Sequence, residues 1–207
     1  MSISYYIIGS GGFAKEVFFY TQKTLGSEYK FGGFIDNNIA LKSGLLIEES
    51  LFLETIQPND EVVLFNGIGN PELINKIHLK FKEYNFPNLI YPGILADYSN
   101  LKIGFGNIIT PNCILTVDIV IGDFNIINLN TTIGHDTQIG NYNVINPGSN
   151  ISGNVTIGDS NLLGTNCAIL QGVSIGSYNK IGASSMVNKS ILDHQTMVGI
   201  PAKPLLK

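Results

Sequence analysis

Fifteen aliphatic residues stand six apart without interruption: Ile103, Ile109, Leu115, Ile121, Ile127, Ile133, Ile139, Ile145, Ile151, Ile157, Leu163, Ile169, Ile175, Ile181 and Val187. Glycine follows at once at 104, 122, 134, 140, 158, 164, 176 and 182. Neither the 3.6-residue period of a helix nor the two-residue period of a strand produces this spacing. A fixed short repeat marks a solenoid, and a hexapeptide repeat predicts a parallel β-helix. One hexapeptide then spans one flat side and one corner of a triangular prism, so the fifteen build five coils of three sides. The aliphatic residue points inward. The residue after it is expected at a tight bend, which would favour glycine. Residues eighteen apart form vertical columns. Leu95 and Leu101 are six apart but out of phase with Ile103, which predicts an irregular first coil, and the phase is lost again after Val187.

The first half follows a different grammar. Tyr5–Ile8 reads as a strand, followed by Gly9-Ser10-Gly11-Gly12 and a helix over Phe13–Thr24 with Ala14, Val17, Phe18 and Thr21 on one side. A second strand over Phe31–Ile35 ends at Asp36-Asn37-Asn38, and a third over Glu61–Phe65 ends near Gly67–Asn70. A helix over 72–85 and a fourth strand over Asn88–Tyr91 complete the expectation of a small, Rossmann-like parallel α/β sheet. Its ligand crevice belongs at the carboxyl ends of the strands. The expected division is an α/β domain over residues 1–90 and a β-helix over 91–207 with a short tail.

With a net charge of −4, the 207-residue chain has no electrostatic footprint for nucleic acid or an anionic membrane. No run approaches the roughly 18 apolar residues of a membrane span. The N-terminus lacks a basic region and a long apolar stretch, so the cytoplasm is the expected location. Cys113 and Cys167 both occupy the fifth place of a hexapeptide, three coils apart. Stacked strands about 4.8 Å apart put them on the order of 14 Å from one another, too far for a disulfide. They are expected as small inward-facing core residues.

The chain has three histidines. His78 falls in the helix over 72–85 and His194 in the irregular tail, both with ordinary structural or surface readings. His135 is the histidine inside the prism, at the outward third place of Ile133-Gly134-His135-Asp136-Thr137. A carboxylate beside an imidazole can fix its tautomer and raise its basicity. A surface histidine beside a surface aspartate is the plain alternative. A prism zinc site of three histidines fails on counting, so no metal is expected. Gly9-Ser10-Gly11-Gly12-Phe13-Ala14 between a strand and a helix suits a nucleotide-binding turn, though it departs from G-x-G-x-x-G. A tight structural turn is the competing reading.

Taken together, these pieces resemble the bacterial aminosugar N-acetyltransferases with a left-handed β-helix, which act on nucleotide-linked 4-amino-4,6-dideoxy sugars; the sialic-acid O-acetyltransferase-like proteins are close relatives. The resemblance rests on Ile7–Val17, Ile68-Gly69-Asn70, the hexapeptides, Gly134-His135-Asp136 and Val198–Lys203. It implies the left-handed coil, acetyl-CoA as co-substrate without a metal, and a role in surface glycan (O-antigen, lipopolysaccharide) biosynthesis. Carried over, His135 is the general base and Asp136 enhances its basicity. A UDP- or dTDP-linked sugar is held by Gly11, Gly12, Phe13, Asp36, Asn37 and Gly69, with Asn128 near the sugar amine. Acetyl-CoA positions match Thr165 and Ala183, with Pro201 and Ala202 in the tail. Gly153, one coil above His135 and without a side chain to obstruct approach, is a candidate backbone donor to the oxyanion. Val144 stands where some members carry a second histidine near the cofactor, so that contact is lost or made by backbone.

Pro147, Thr165 and Ala183 form one column and His135, Gly153 and Gln171 another. The two lie on different corners, so a homotrimer with shared sites is expected. The competing readings are a sialic acid or sugar O-acetyltransferase and a non-enzymatic binding prism. A flat ice-binding face would need regular threonine ladders, which the outward positions lack.

Overall fold

The computed structural model describes residues 2–37, 45–58 and 61–205; Asn38, expected in the turn after the second strand, lies outside them. Strands β1 (Ile3–Ile8), β2 (Tyr29–Ile35), β3 (Leu46–Ile47) and β4 (Val62–Asn66) form one parallel sheet in the order β3-β2-β1-β4. Helix α1 (Gly12–Thr24) buries Ala14, Val17, Tyr20 and Thr21 against it. A short α2 (Glu49–Thr55) follows β3, and α3 (Pro71–Lys80) follows β4. Helix α3 starts where the sequence says it should: the Asn70 side chain accepts the Glu72 N–H at 3.0 Å and Pro71 occupies the first turn.

Two expectations change here. The predicted helix over 72–85 stops at Lys80, because Phe81 is fully buried and the chain turns at Tyr84 to lay Asn85 beside β4. The predicted fourth strand, β5 (Leu89–Ile90), does not join the α/β sheet. It pairs with Ile108–Ile109 as the first rung of the prism, and Leu46–Ile47 fills the sheet edge instead.

The prism is a left-handed parallel β-helix of two-residue strands in three sheets. Its partners lie eighteen residues apart, as in Ile127↔Ile145 and Ile133↔Ile151. The whole ladder except the half-buried Ile103 is buried, at 3% exposure or less; each such side chain contributes roughly 1.5–3 kcal/mol of burial. Leu89–Ile90 and Leu95–Ala96 pair nineteen residues ahead, so the first coil carries one extra residue and Ala96, not Leu95, points inward. At the other end Lys180↔Thr196 and Ile181↔Met197 pair sixteen ahead. These insertions and deletions account for the phase breaks at 103 and 187.

The corner chemistry differs from expectation. The left-handed residue is the fourth of each hexapeptide, not the second: Asn112, Asp118, Phe124, Asn130, Asp136, Tyr142 and the later non-glycine residues have φ of 53–62°, and Gly106, Gly148 and Gly172 have φ of 68–74°. The second-place glycines serve close approach between coils. A Cβ on Gly134 would stand 2.5 Å from the Gly153 nitrogen, and one on Gly122 2.7 Å from the Gly140 oxygen.

The three outer faces have three fates. The face bearing Ile108, Ile126 and Val144 is buried under the α/β domain. The face bearing Lys102, Val120, Gln138, Thr156 and Ser174 is exposed and largely polar. The third bears Leu95, Ile114, Thr132, Asn150, Ala168 and Met186, none of them charged. Cys113 and Cys167 are free and buried as expected, and burial raises both thiol pKa values.

Candidate active site

The structure brings Phe13, Gly69, Asn128 and Val144 together around a cleft of about 250 Å³ between the α/β domain and the prism. Glu16, Asn146 and Pro147 complete its wall. Val144, where the cofactor contact was expected to be lost or made by backbone, has a side chain only 2% exposed, among seam residues such as Phe81, Phe86 and Ile126, and lines this cleft. Asn128 is 92% buried at its mouth. Glu16, Asn146 and Ser10 were missed as site residues. Glu16 is one α-helical turn from Gly12, a spacing that could have suggested it.

Above the cleft lies the glycine turn. A Cβ at Gly11, Gly12 or Gly69 would meet no atom within 4 Å. Nothing internal requires glycine there, unlike Gly67, whose Cβ would stand 2.6 Å from the Ile8 oxygen. These three positions therefore leave an open backbone surface that a ligand can approach closely, at the N-terminus of α1. Buried Ser10 donates to the Asp36 carboxylate at 2.5 Å, which orients the acid at the end of β2. Asn37 is exposed, and its side-chain oxygen accepts the Glu49 N–H at 3.3 Å.

His135 and Asp136 lie on another corner of the prism. The imidazole Nδ1 is 2.7 Å from the Asp136 carboxylate, with both side chains at least half exposed. An ionised carboxylate only accepts, so Nδ1 carries the proton and the Nε2 lone pair faces outward. Asp136 holds the left-handed corner (φ 58°), where Asp and Asn are tolerated. The ring lies over Gly153, one coil higher: a Cβ at 153 would stand 2.4 Å from Nε2. At the corner carrying Asp123, Asn141 and Asp159, side chains one coil up take the third-place N–H groups. Among the described residues no such partner takes the N–H of Gly153.

Thr165 and Ala183 are exposed on the Pro147 column, of which only Pro147 lines the cleft. Pro201 is exposed, whereas Ala202 donates its N–H to Met186 at 2.7 Å and packs on the end of the prism core. His135 and the Pro147 column stand at opposite ends of the uncharged face. Six residues, one of them a left-handed bend, separate such corners, so about 20 Å is the most they can span. Neither His135 nor Asp136 lines the cleft of the same chain. No group of three or more His, Cys, Asp or Glu residues suited to a metal occurs among the described residues.

Residues 154–189 match the family described as bacterial transferase hexapeptide, six repeats. No curated protein matches. Several solved structures match over nearly their full length, among them the following three. The acetyltransferase domain of PglB from Neisseria gonorrhoeae FA1090, solved with acetyl coenzyme A, is 26% identical, with 99% of this chain and 100% of that one covered and a TM-score of 0.89. PerB from Caulobacter crescentus, solved with CoA and GDP-perosamine, is 25% identical over 98% and 97%, with a TM-score of 0.87. WeeI from Acinetobacter baumannii AYE is 27% identical over 99% and 100%, with a TM-score of 0.85. The chain carries the transferase hexapeptide repeat, and its whole-chain left-handed β-helix architecture is similar to that of these three proteins.

Proposed function

We propose that the protein is an acyltransferase that moves an acetyl group from acetyl-CoA to the amine of a nucleotide-linked 4-amino-4,6-dideoxy sugar, in the cytoplasm and for surface glycan synthesis. The observation that carries this reading is the whole-chain likeness to an acetyltransferase domain bound to acetyl coenzyme A and to PerB bound to CoA and GDP-perosamine. Gly11, Gly12, Phe13, Asp36, Asn37 and Gly69 hold the nucleotide, and Asn128 lies beside the sugar amine. Thr165 and Ala183 cradle the pantetheine arm, with Pro201 and Ala202 at its far end. UDP and dTDP remain the proposed carriers, and the GDP of PerB makes a guanosine sugar a third arm of any assay.

His135 of one subunit faces the cleft of its neighbour in a homotrimer. The uncharged face supports this reading: turned to a three-fold axis, it sets the His135 corner of each prism against the Pro147 corner of the next. A sugar amine is mostly ammonium at neutral pH and not nucleophilic. Nε2 of His135 accepts its proton, with Asp136 stabilising the resulting imidazolium. The amine nitrogen bonds to the thioester carbonyl carbon, and the Gly153 N–H donates to the oxyanion. Collapse breaks the C–S bond; the imidazolium proton goes to the departing thiolate, and the extra proton on the attacking nitrogen passes to water, which leaves the neutral amide and a free thiol.

The test is thiol release from acetyl-CoA with UDP-, dTDP- and GDP-linked 4-amino sugars, and with sialic acid as the O-acetylation arm. His135→Ala should lower kcat about 10²–10⁴-fold, the usual range for a general base. Undiminished transfer by a folded His135→Ala protein sinks the base assignment. Activity with sialic acid alone reassigns the acceptor.

A further inference from the structure

The corner farthest from the uncharged face carries an aromatic column with one rung missing. Its left-handed fourth-place residues are Phe124, Tyr142, Ser160 and Tyr178, with His194 above them. Phe124 and Tyr142 stack at 6.0 Å and 26°. Tyr178 and His194 stack at 4.9 Å and 3°. Between the two pairs stands Ser160. Two rungs at about 4.8 Å separate Tyr142 from Tyr178 by roughly 9.6 Å. Two stacked contacts at about 3.5 Å each need roughly 7 Å. Of the two tyrosines only Tyr178 lines the space beside Ser160.

The gap opens into a cavity of about 160 Å³ against the start of α3. Two buried polar groups on its wall have no hydrogen-bond partner: Ser160 Oγ, on a residue 5% exposed, and Asn179 Nδ2, on a residue 0% exposed. Asn179 ends a buried column in which Asn107, Asn125, Asn143 and Asn161 bond to one another. The lower amides Asn107 and Asn125 also reach a carbonyl fifteen residues ahead. Asn179 accepts the Gln195 N–H through its side-chain oxygen at 2.7 Å, while its Nδ2 finds no acceptor. An unpaired buried amide is costly, on the order of 1–3 kcal/mol, and a ligand acceptor would relieve it. The cavity joins a wider groove carrying Glu72, Lys76 and Lys180, where Glu72 and Lys180 pair at 3.5 Å.

We propose that this corner is a second binding site, for a nucleoside monophosphate, with the base in the Ser160 gap against Tyr178. A base carbonyl or ring nitrogen accepts from Asn179 Nδ2 and bonds Ser160 Oγ. Glu72 accepts from the ribose hydroxyls, and Lys76 and Lys180 face the phosphate. The site stands on the other side of the Gly69 turn from the acetyl-transfer cleft and needs no neighbouring subunit. Its occupant is either a free nucleotide or the adenosine end of a coenzyme.

Calorimetric titration of the whole protein with UMP, TMP, AMP and GMP tests this, each repeated in Asp36→Ala, which alters the nucleotide turn beside the transfer cleft and lies outside this corner. At least one should bind, and Ser160→Tyr, which completes the aromatic column, should abolish that binding while kcat for acetyl transfer is kept. Tyr178→Ala, at an exposed position, should weaken binding about ten-fold or more and covers the case that Ser160→Tyr does not fold. Competition by CoA but not by dephosphorylated nucleoside assigns the occupant to the coenzyme; competition by neither assigns it to a free nucleotide. Binding by none of the four, or binding unchanged in both variants, overturns the proposal. Loss of acetyl transfer in every sugar arm would overturn the proposed function and leave these titrations unaffected.

Discussion

The prism and the α/β domain reach buried cores by opposite routes. In the prism each inward residue sits on a like residue one coil away, as Ile127 on Ile145, and the same contact recurs at every level. In the α/β domain no contact repeats: Phe52 meets Tyr6, Phe81 and Tyr84 in one aromatic cluster that nothing else in the chain copies. The difference shows most clearly in glycine. The prism needs Gly122 because of the coil above it, and the domain needs Gly67 because of β1 and α1. Gly11, Gly12 and Gly69 are required by nothing inside the protein.

The largest expected effect separates the two cores. Ile145→Ala leaves a cavity between two unyielding coils and should cost about 2–5 kcal/mol in denaturant unfolding. Because each coil contacts only its neighbours, the loss should fall on the whole prism with little local rescue. A loss below about 1 kcal/mol would mean that the coils close around the gap.

Next come the glycines. Gly122→Ala forces a methyl to 2.7 Å from the Gly140 carbonyl oxygen, so the coils must part, at about 1–3 kcal/mol. Gly69→Ala meets open space and should leave unfolding within about 0.5 kcal/mol, while raising KM for the sugar nucleotide. Equal stability losses in the two variants would erase the distinction between internal and external glycines. Gly153→Ala combines both kinds: its methyl would displace the His135 ring, so kcat should fall while the His135–Asp136 pair survives.

The same contrast explains what could be read from the chain alone. A strict repeat carries its own ruler, so the coils, the inward cysteines and the outward His135 followed from counting. The ruler does not say why a place is glycine, and the bend proved to lie two residues later, at Asp136 and its equivalents. Without a repeat, Leu46–Ile47 is too short to signal a strand, and Leu89–Ile90 looks the same whether it joins a sheet or a prism. Which residues face one another across the seam, such as Val144 and Phe13, depends on how the domain docks on one prism face, and no local pattern records that.

The smallest expected effect lies at the docking seam. His78 stacks on Phe124 at 4.3 Å, and its Nδ1 is 2.8 Å from the Tyr142 hydroxyl. Phe105 packs edge-on at 5.5 Å. Burial lowers its pKa, and the nearby Asp123 only partly opposes this. The folded state therefore prefers neutral imidazole. Below the unfolded value near 6.5 the unfolded chain binds a proton that the folded chain refuses, so stability falls as the pH drops from about 6.5 toward the lowered folded value. Below that value both states are protonated and the loss stops growing. Thermal melts between about pH 7.5 and 5 should show this acid limb in the natural protein and a shallower one in His78→Gln. Superimposable acid limbs would mean that the seam tolerates the charge, and that protonation of His78 does not loosen the hold of the α/β domain on the prism.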